Sequence, residues 1–191
     1  MAIKDETRTK IFNTAVELFQ KSGYENISIS KICEEANVTR NSFYYYYKGK
    51  QSLMLSYFED IISNEDELLK NVLALPGDWE KLWYLYRTYM EAITGAGKDF
   101  TRQLLKLSID YRGGTFGHNH LTNEWCVPLM KNCQNSGIIR NPAAAESLNI
   151  ICNQLFLGIL TNWVINEDMD DPVANAYNAM ITVLNINISA D

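Results

Sequence analysis

Residues Asn37–Lys50 read NVTRNSFYYYYKGK. Four consecutive tyrosines stand among one arginine, two lysines and several small hydrogen-bonding residues. That mixture suits a charged polymer with flat edges better than it suits an apolar core. Asn37 is the residue, after glycine, that best tolerates the left-handed backbone needed to reverse a chain sharply. Val38 plugs the turn from inside, and Thr39 serves as N-cap for a short helix whose Phe43 and Tyr47, four residues apart, face inward. Arg40, Asn41, Ser42, Tyr44, Tyr45 and Tyr46 are left outside.

Upstream, Ser28 caps a helix of about two turns with Ile29, Ile32, Cys33 and Ala36 on one face. Before it, Ile11, Ala15, Leu18 and Phe19 mark a helix over Asp5–Ser22, stopped by Gly23. Two short helices joined by a tight turn, the second capped by threonine and studded with polar and aromatic residues, form a helix-turn-helix. The run 23–53, GYENISISKICEEANVTRNSFYYYYKGKQSL, resembles the signature of the TetR (tetracycline-repressor-like) transcription regulators. Gly23, Tyr24, Ser28, Ile32, Ala36, Val38, Thr39, Phe43, Tyr44, Lys50 and Leu53 match in register. The resemblance covers about the first 55 residues. Asn37, Cys33, Asn41 and Tyr47 depart from the usual Gly, Ala, Gly and Phe.

On this reading Arg40 is placed to meet a guanine edge, with Asn41 and Ser42 as base or phosphate donors. The resemblance implies that Tyr44 meets a phosphate or a thymine methyl and that Tyr45 and Tyr46 line the neighbouring strand. It also puts Lys50 on a phosphate at the positive end of its own helix. Ser28 and Thr39 offer hydroxyls and capped amides.

The whole chain has 191 residues and a net charge of −6. Residues 1–53 carry eight Lys/Arg against six Asp/Glu, so a slightly basic head sits on an acidic body. No run approaches the ~20 apolar residues of a membrane span, and MAIKDETRTK lacks the apolar core of a secretion signal, so a cytoplasmic protein is expected. Cys33, Cys126, Cys133 and Cys152 have none of the close pairing of a disulfide or zinc framework and read as reduced core residues.

Helical periodicity dominates and no alternating strand is found. The expected fold is all-α: a three-helix helix-turn-helix DNA-binding domain over 1–53, joined by a long helix to a helical ligand-binding and dimerisation domain over 54–191. The long helix should run from Lys50 to Leu75, ending at Pro76–Gly77. Helices follow over the aromatic segments after Asp78 and Asp99. Arg112–His120 reads as a glycine-rich loop, and Leu121–Asn135 as a helix bent near Pro128. A further helix should open at Pro142 and run to Ile165, apolar almost all round, and the last should span Pro172–Ile188.

Trp79, Trp83, Tyr86, Tyr89, Met90, Leu104, Tyr111, Trp125 and Met130 have the apolar, aromatic make-up of a ligand pocket, weighed against plain core. The final two helices carry the expected homodimer face: Leu148, Cys152, Leu155, Ile159 and Trp163 with Val173, Tyr177, Met180, Ile181 and Leu184. Ile150, Leu157, Leu160 and Val164 form a second apolar face on the first of the pair; its own domain needs only one of the two faces, and either is open to the partner. His118, His120 and Cys126 lie close in sequence but match no tight metal-ligand spacing, so no metal or cofactor is assigned. No nucleophile–base pair, phosphate loop or paired-carboxylate motif points to an enzyme. The expectation is therefore a DNA-binding repressor, released from a palindromic double-stranded operator by a small apolar or aromatic effector. A metal-responsive or protein-partner-responsive regulator on the same fold is the alternative, and no membrane partner is expected.

Overall fold

The computed structural model describes residues 2–63, 65–110, 122–166, 168 and 171–186. Its first helix, α1 (Ala2–Ser22), turns Ile11, Ala15 and Phe19 inward, each at most 1% exposed. It begins three residues before the expected Asp5 and stops where Gly23 takes a φ of +79°. The Gly23 N–H donates to the Phe19 carbonyl at 2.8 Å. Next come α2 (Ile29–Glu35) and α3 (Arg40–Tyr46), with Ile32, Ala36 and Phe43 fully buried between them.

The connector after Lys50 is described as two helices, α4 (Lys50–Ser63) and α5 (Glu65–Leu73), with residue 64 outside the described residues. It ends two residues short of Leu75, where the chain tightens so that the Leu75 N–H meets the Val72 carbonyl at 3.1 Å before Pro76. In α6 (Asp78–Gly95), Leu82, Tyr86, Met90 and Ile93 recur at helical spacing and are buried. The link Gly95-Ala96-Gly97 then returns the chain into α7 (Lys98–Asp110), with Gly97 at φ +89°. Phe100 of α7 faces Phe19 of α1 with ring centroids 6.2 Å apart, so one apolar cluster continues from the head into the body.

The bend expected near Pro128 takes a definite form. A π-helical turn over Thr122–Cys126 runs into α8 (Val127–Asn135), and Pro128 lies in the first turn of that helix. Cys126 is itself helical at φ −73°, so the N–H that Pro128 lacks is missing inside a continuous helical run, where the wider π turn meets α8. Pro142, by contrast, does not open the following helix. The Ala143 N–H donates to Asn141 Oδ1 at 3.0 Å, holding 141–143 in a turn, and α9 (Ala145–Ile165) starts three residues later than expected.

The last helix, α10 (Pro172–Leu184), is capped by Asp171, whose Oδ1 accepts the Ala174 N–H at 2.9 Å. It stops at Asn185, in the left-handed region at φ +50°, rather than reaching Ile188. α9 packs against α7, α8 and α10. Contrary to the sequence expectation, α9 is long and apolar enough to span a bilayer, with a mean hydropathy of 1.5, although its inner face is packed into the body.

Candidate nucleic-acid interface

Short-range hydrogen bonds hold the turn between α2 and α3 in place. Asn37 adopts φ +49°, and the Val38 N–H donates to the Cys33 carbonyl at 2.9 Å, closing α2. This is the left-handed position that the family resemblance fills with glycine, and asparagine reaches it at little strain. At the start of each helix a hydroxyl does the capping. Ser28 Oγ accepts the Lys31 N–H at 3.1 Å, and Thr39 Oγ1 accepts the Ser42 N–H at 3.0 Å. Thr39 Oγ1 also lies 2.9 Å from Ser42 Oγ, so the two hydroxyls share one hydrogen and leave one to give outward.

Two aromatic anchors set how α3 is presented. Phe43 is fully buried and Tyr47 is 3% exposed, as the spacing predicts. The Tyr47 hydroxyl donates to the Arg8 carbonyl of α1 at 3.3 Å, which provides the partner its extra oxygen requires. Arg40 and Asn41 are exposed, and Tyr44 and Tyr45 present 48% and 64% of their surface. Tyr44 meets Phe43 edge-on at 5.6 Å, and Tyr45 meets Tyr46 edge-on at 4.9 Å. Tyr46 differs from its neighbours: it is half-buried and packs against the core.

Lys50 is not a freely extended cation. Its Nζ donates to the Tyr24 carbonyl at 2.8 Å and sits 4.3 Å from the centre of the Tyr24 ring. Burial lowers its pKa, with the carboxylate of Glu25 opposing that trend. The ammonium keeps donors for a further acceptor, but it also ties α4 to the loop after α1. Ser28, Arg40 and Lys50 share an open cleft of about 820 Å³ that reaches Gln103 and Lys106 on α7. The sequence gives no signal for this cleft, because Lys50 and Lys106 are brought together only by the packing of α4 on α7.

The residues considered for an effector pocket differ in burial and in partners. Trp79 and Trp83 meet Tyr177 of α10, with ring centroids 6.2 and 4.8 Å away. Tyr86, Met90, Leu104 and Met130 are buried, while Tyr89 and Trp125 are half-buried. Tyr111 lies outside the described residues, as do His118 and His120. The Tyr86 hydroxyl donates to Asn149 Oδ1 at 2.5 Å, and its ring meets Phe156 edge-on at 4.9 Å. Asn149 is fully buried, and sequence reasoning passed over it. Burial pushes the Cys126 thiol up to about 12, which opposes the thiolate that a metal needs. Among the described residues no group of three His, Cys, Asp or Glu could hold a metal ion.

The expected dimer residues fall into an enclosed set and a half-buried set. Leu148, Cys152, Met180 and Leu184 are 1% exposed or less and Trp163 is 8% exposed, so they are enclosed by their own subunit. Leu155, Ile159, Val173, Tyr177 and Ile181 are half-buried. The outward face of α9 is instead Ile150, Gln154, Leu157, Gly158, Thr161 and Ile165, with Ile150 at 55% and Ile165 at 71% exposed. Leu160 and Val164, placed on the second apolar face by spacing, are buried within the subunit.

Residues 11–57 match the family described as "Bacterial regulatory proteins, tetR family". The chain is 36% identical over 171 residues to the transcriptional regulator AcrR of Shigella flexneri, covering 83% of this chain and 79% of AcrR. It is 33% identical over 180 residues to the fatty acid metabolism regulator protein of Bacillus subtilis, covering 86% and 87%. The match to the TetC protein of transposon Tn10 from Escherichia coli is shorter, 25% over 119 residues, and spans 60% of that protein. Among solved structures, FadR of Thermus thermophilus in complex with lauroyl-CoA aligns with a TM-score of 0.66 and 19% identity, covering 96% of this chain and 98% of that one.

Proposed function

The chain belongs to the TetR family of bacterial regulatory proteins, and on that footing we propose that it is a cytoplasmic, homodimeric repressor of a palindromic operator. Each subunit places α3 in the major groove of one half-site. The DNA-binding unit is residues 1–53, and residues 54–191 form the unit for dimerisation and effector binding. The observation that carries this reading is the outward face of α3. Phe43 and Tyr47 anchor the helix from below, while Arg40, Asn41, Tyr44 and Tyr45 stay exposed above.

Within that face Arg40 reads a guanine edge, and Asn41 and Ser42 add polar contacts. Tyr44 and Tyr45 follow the backbone, Tyr46 supports Tyr45, and Ser28, Thr39 and Lys50 meet phosphates. The effector is a small apolar or aromatic molecule bound in the body. Acyl-CoA thioesters are the first class to try, because the Bacillus subtilis relative is a fatty acid metabolism regulator and the Thermus thermophilus protein holds lauroyl-CoA.

The test is a gel-shift titration with the DNA lying upstream of this gene and with a random duplex of equal length. The wild type should prefer the upstream duplex. Arg40→Ala should lose about 1–3 kcal/mol of discrimination at one base position. Unchanged affinity and unchanged base preference in that variant would remove Arg40 from the recognition role.

A further inference from the structure

The cleft between head and body is walled by residues from two parts of the chain that the DNA-binding reading keeps separate. One wall holds Ser28 and Arg40 of the helix-turn-helix with Lys50 at the start of α4. The other holds Gln103 and Lys106 of α7. Gln103 and Lys106 are three residues apart on one helical face, and Lys106 is exposed. Three cations therefore line the cleft against a single carboxylate, Glu25. Ser28 adds a hydroxyl and Gln103 a side-chain amide, both hydrogen donors to an oxyanion.

We infer that this cleft takes a phosphate of the DNA backbone, so that Lys106 of the body, with Gln103 beside it, contacts DNA directly. The inference rests on the DNA-binding reading above. The chemistry is that of a phosphate oxyanion, and the DNA backbone is the favoured source because the cleft is continuous with the recognition surface through Arg40. It also links the body to release. α7 packs on α9 as well as on α1 and α4, so a shift of α7 away from the head would withdraw Lys106 from its phosphate.

A salt titration of binding to a random-sequence 40-bp duplex, followed by fluorescence anisotropy, tests the assignment. Each phosphate contact contributes about 0.9 to the slope of log affinity against log salt. Lys106→Ala should lower the slope by about 0.9 per bound subunit and weaken binding about eightfold at 0.1 M salt. Lys131→Ala makes the same change in charge on α8, where Lys131 pairs with Glu146 at 2.6 Å, and should leave the slope unchanged. An unaltered slope in Lys106→Ala overturns the inference, and so does an equal loss in Lys131→Ala, which would reduce the effect to net charge.

If Arg40→Ala loses base preference while Lys106→Ala behaves as wild type, the assignment of Lys106 fails and the DNA-binding reading stands. If the wild type shows no salt-dependent affinity for duplex, both fail. A last arm adds pyrophosphate at matched ionic strength without DNA. A raised melting temperature in the wild type but not in Lys106→Ala, with no change in slope, would make the occupant a free phosphate and overturn the DNA assignment.

Discussion

Cys126, Cys133 and Cys152 are buried thiols whose pKa values are pushed up to about 12 by desolvation, and this links them to stability at high pH. In the unfolded chain a thiol ionises near 8.5. The folded state therefore keeps protons that the unfolded state gives up. Their contribution to stability is fully present below about pH 8.5 and is lost as pH rises towards 12, by up to about 1.4 kcal/mol per pH unit for each thiol. Lys50 pulls the other way, because burial lowers its pKa and the unfolded state holds its proton more tightly. One partly buried ammonium is outweighed by three buried thiols. The urea midpoint should fall steadily from pH 8.5 to 10.5, and Cys152→Ala, though less stable at pH 8, should show a shallower fall. A midpoint independent of pH would show that these thiols ionise as easily folded as unfolded. The burial of all four cysteines was legible from their scattered, apolar-periodic positions. The burial of Asn149 was not, because one asparagine in an apolar helix looks the same whether it meets water or a tyrosine 63 residues away.

At the scale of elements, local signals carried most of the assignment. Ser28, Thr39 and Gly23 mark helix ends through capping and left-handed backbone, and these depend on neighbours three or four residues away. Pro142 misled for a related reason. Its favoured first-turn position competes with the Asn141 side chain, which holds the backbone in a turn first. α9 shows where periodicity stops being informative. A helix that is apolar nearly all round does not reveal which residues its own subunit takes: Leu148, Cys152 and Trp163 of one apolar face and Leu160 and Val164 of the other are all buried within it. On the homodimer proposal, a second copy would approach along the outward row from Ile150 to Ile165, with Gly158 and Thr161 in its middle, while α10 turns the polar Asn175, Asn178 and Thr182 outward. Leu157→Glu should therefore convert a dimer into a monomer of about 21.9 kDa in micromolar light scattering while the helical signal is kept. Leu148→Glu, which puts a carboxylate in the core, should instead unfold the chain. A Leu157→Glu protein that remains dimeric would place the interface elsewhere.

For the molecule as a whole, the head was readable and the body much less so. The head is built from short-range turns and caps around a motif, whereas a site in the body depends on contacts such as Trp83 with Tyr177 and Tyr86 with Asn149, which join helices far apart in sequence. The apolar cluster running from α1 through α7 into α6 and α9 gives the two halves a shared interior, so rearrangement around an effector has a packed route to α3. An effector can release DNA only through its differential affinity for the free and DNA-bound states, and the coupling is reciprocal. If lauroyl-CoA weakens operator binding by some factor, commonly about 5- to 150-fold, then DNA must weaken lauroyl-CoA binding by the same factor. Calorimetric titration of lauroyl-CoA into the free protein and into protein saturated with the upstream duplex measures one side of this cycle. Anisotropy of the labelled duplex with and without saturating lauroyl-CoA measures the other. Equal factors from the two, with coenzyme A alone giving no release, are the expected outcome. Release of DNA by lauroyl-CoA that binds free and DNA-bound protein equally would mean the amphiphile acts on the preparation as a detergent, and the effector would then have to be sought in another chemical class.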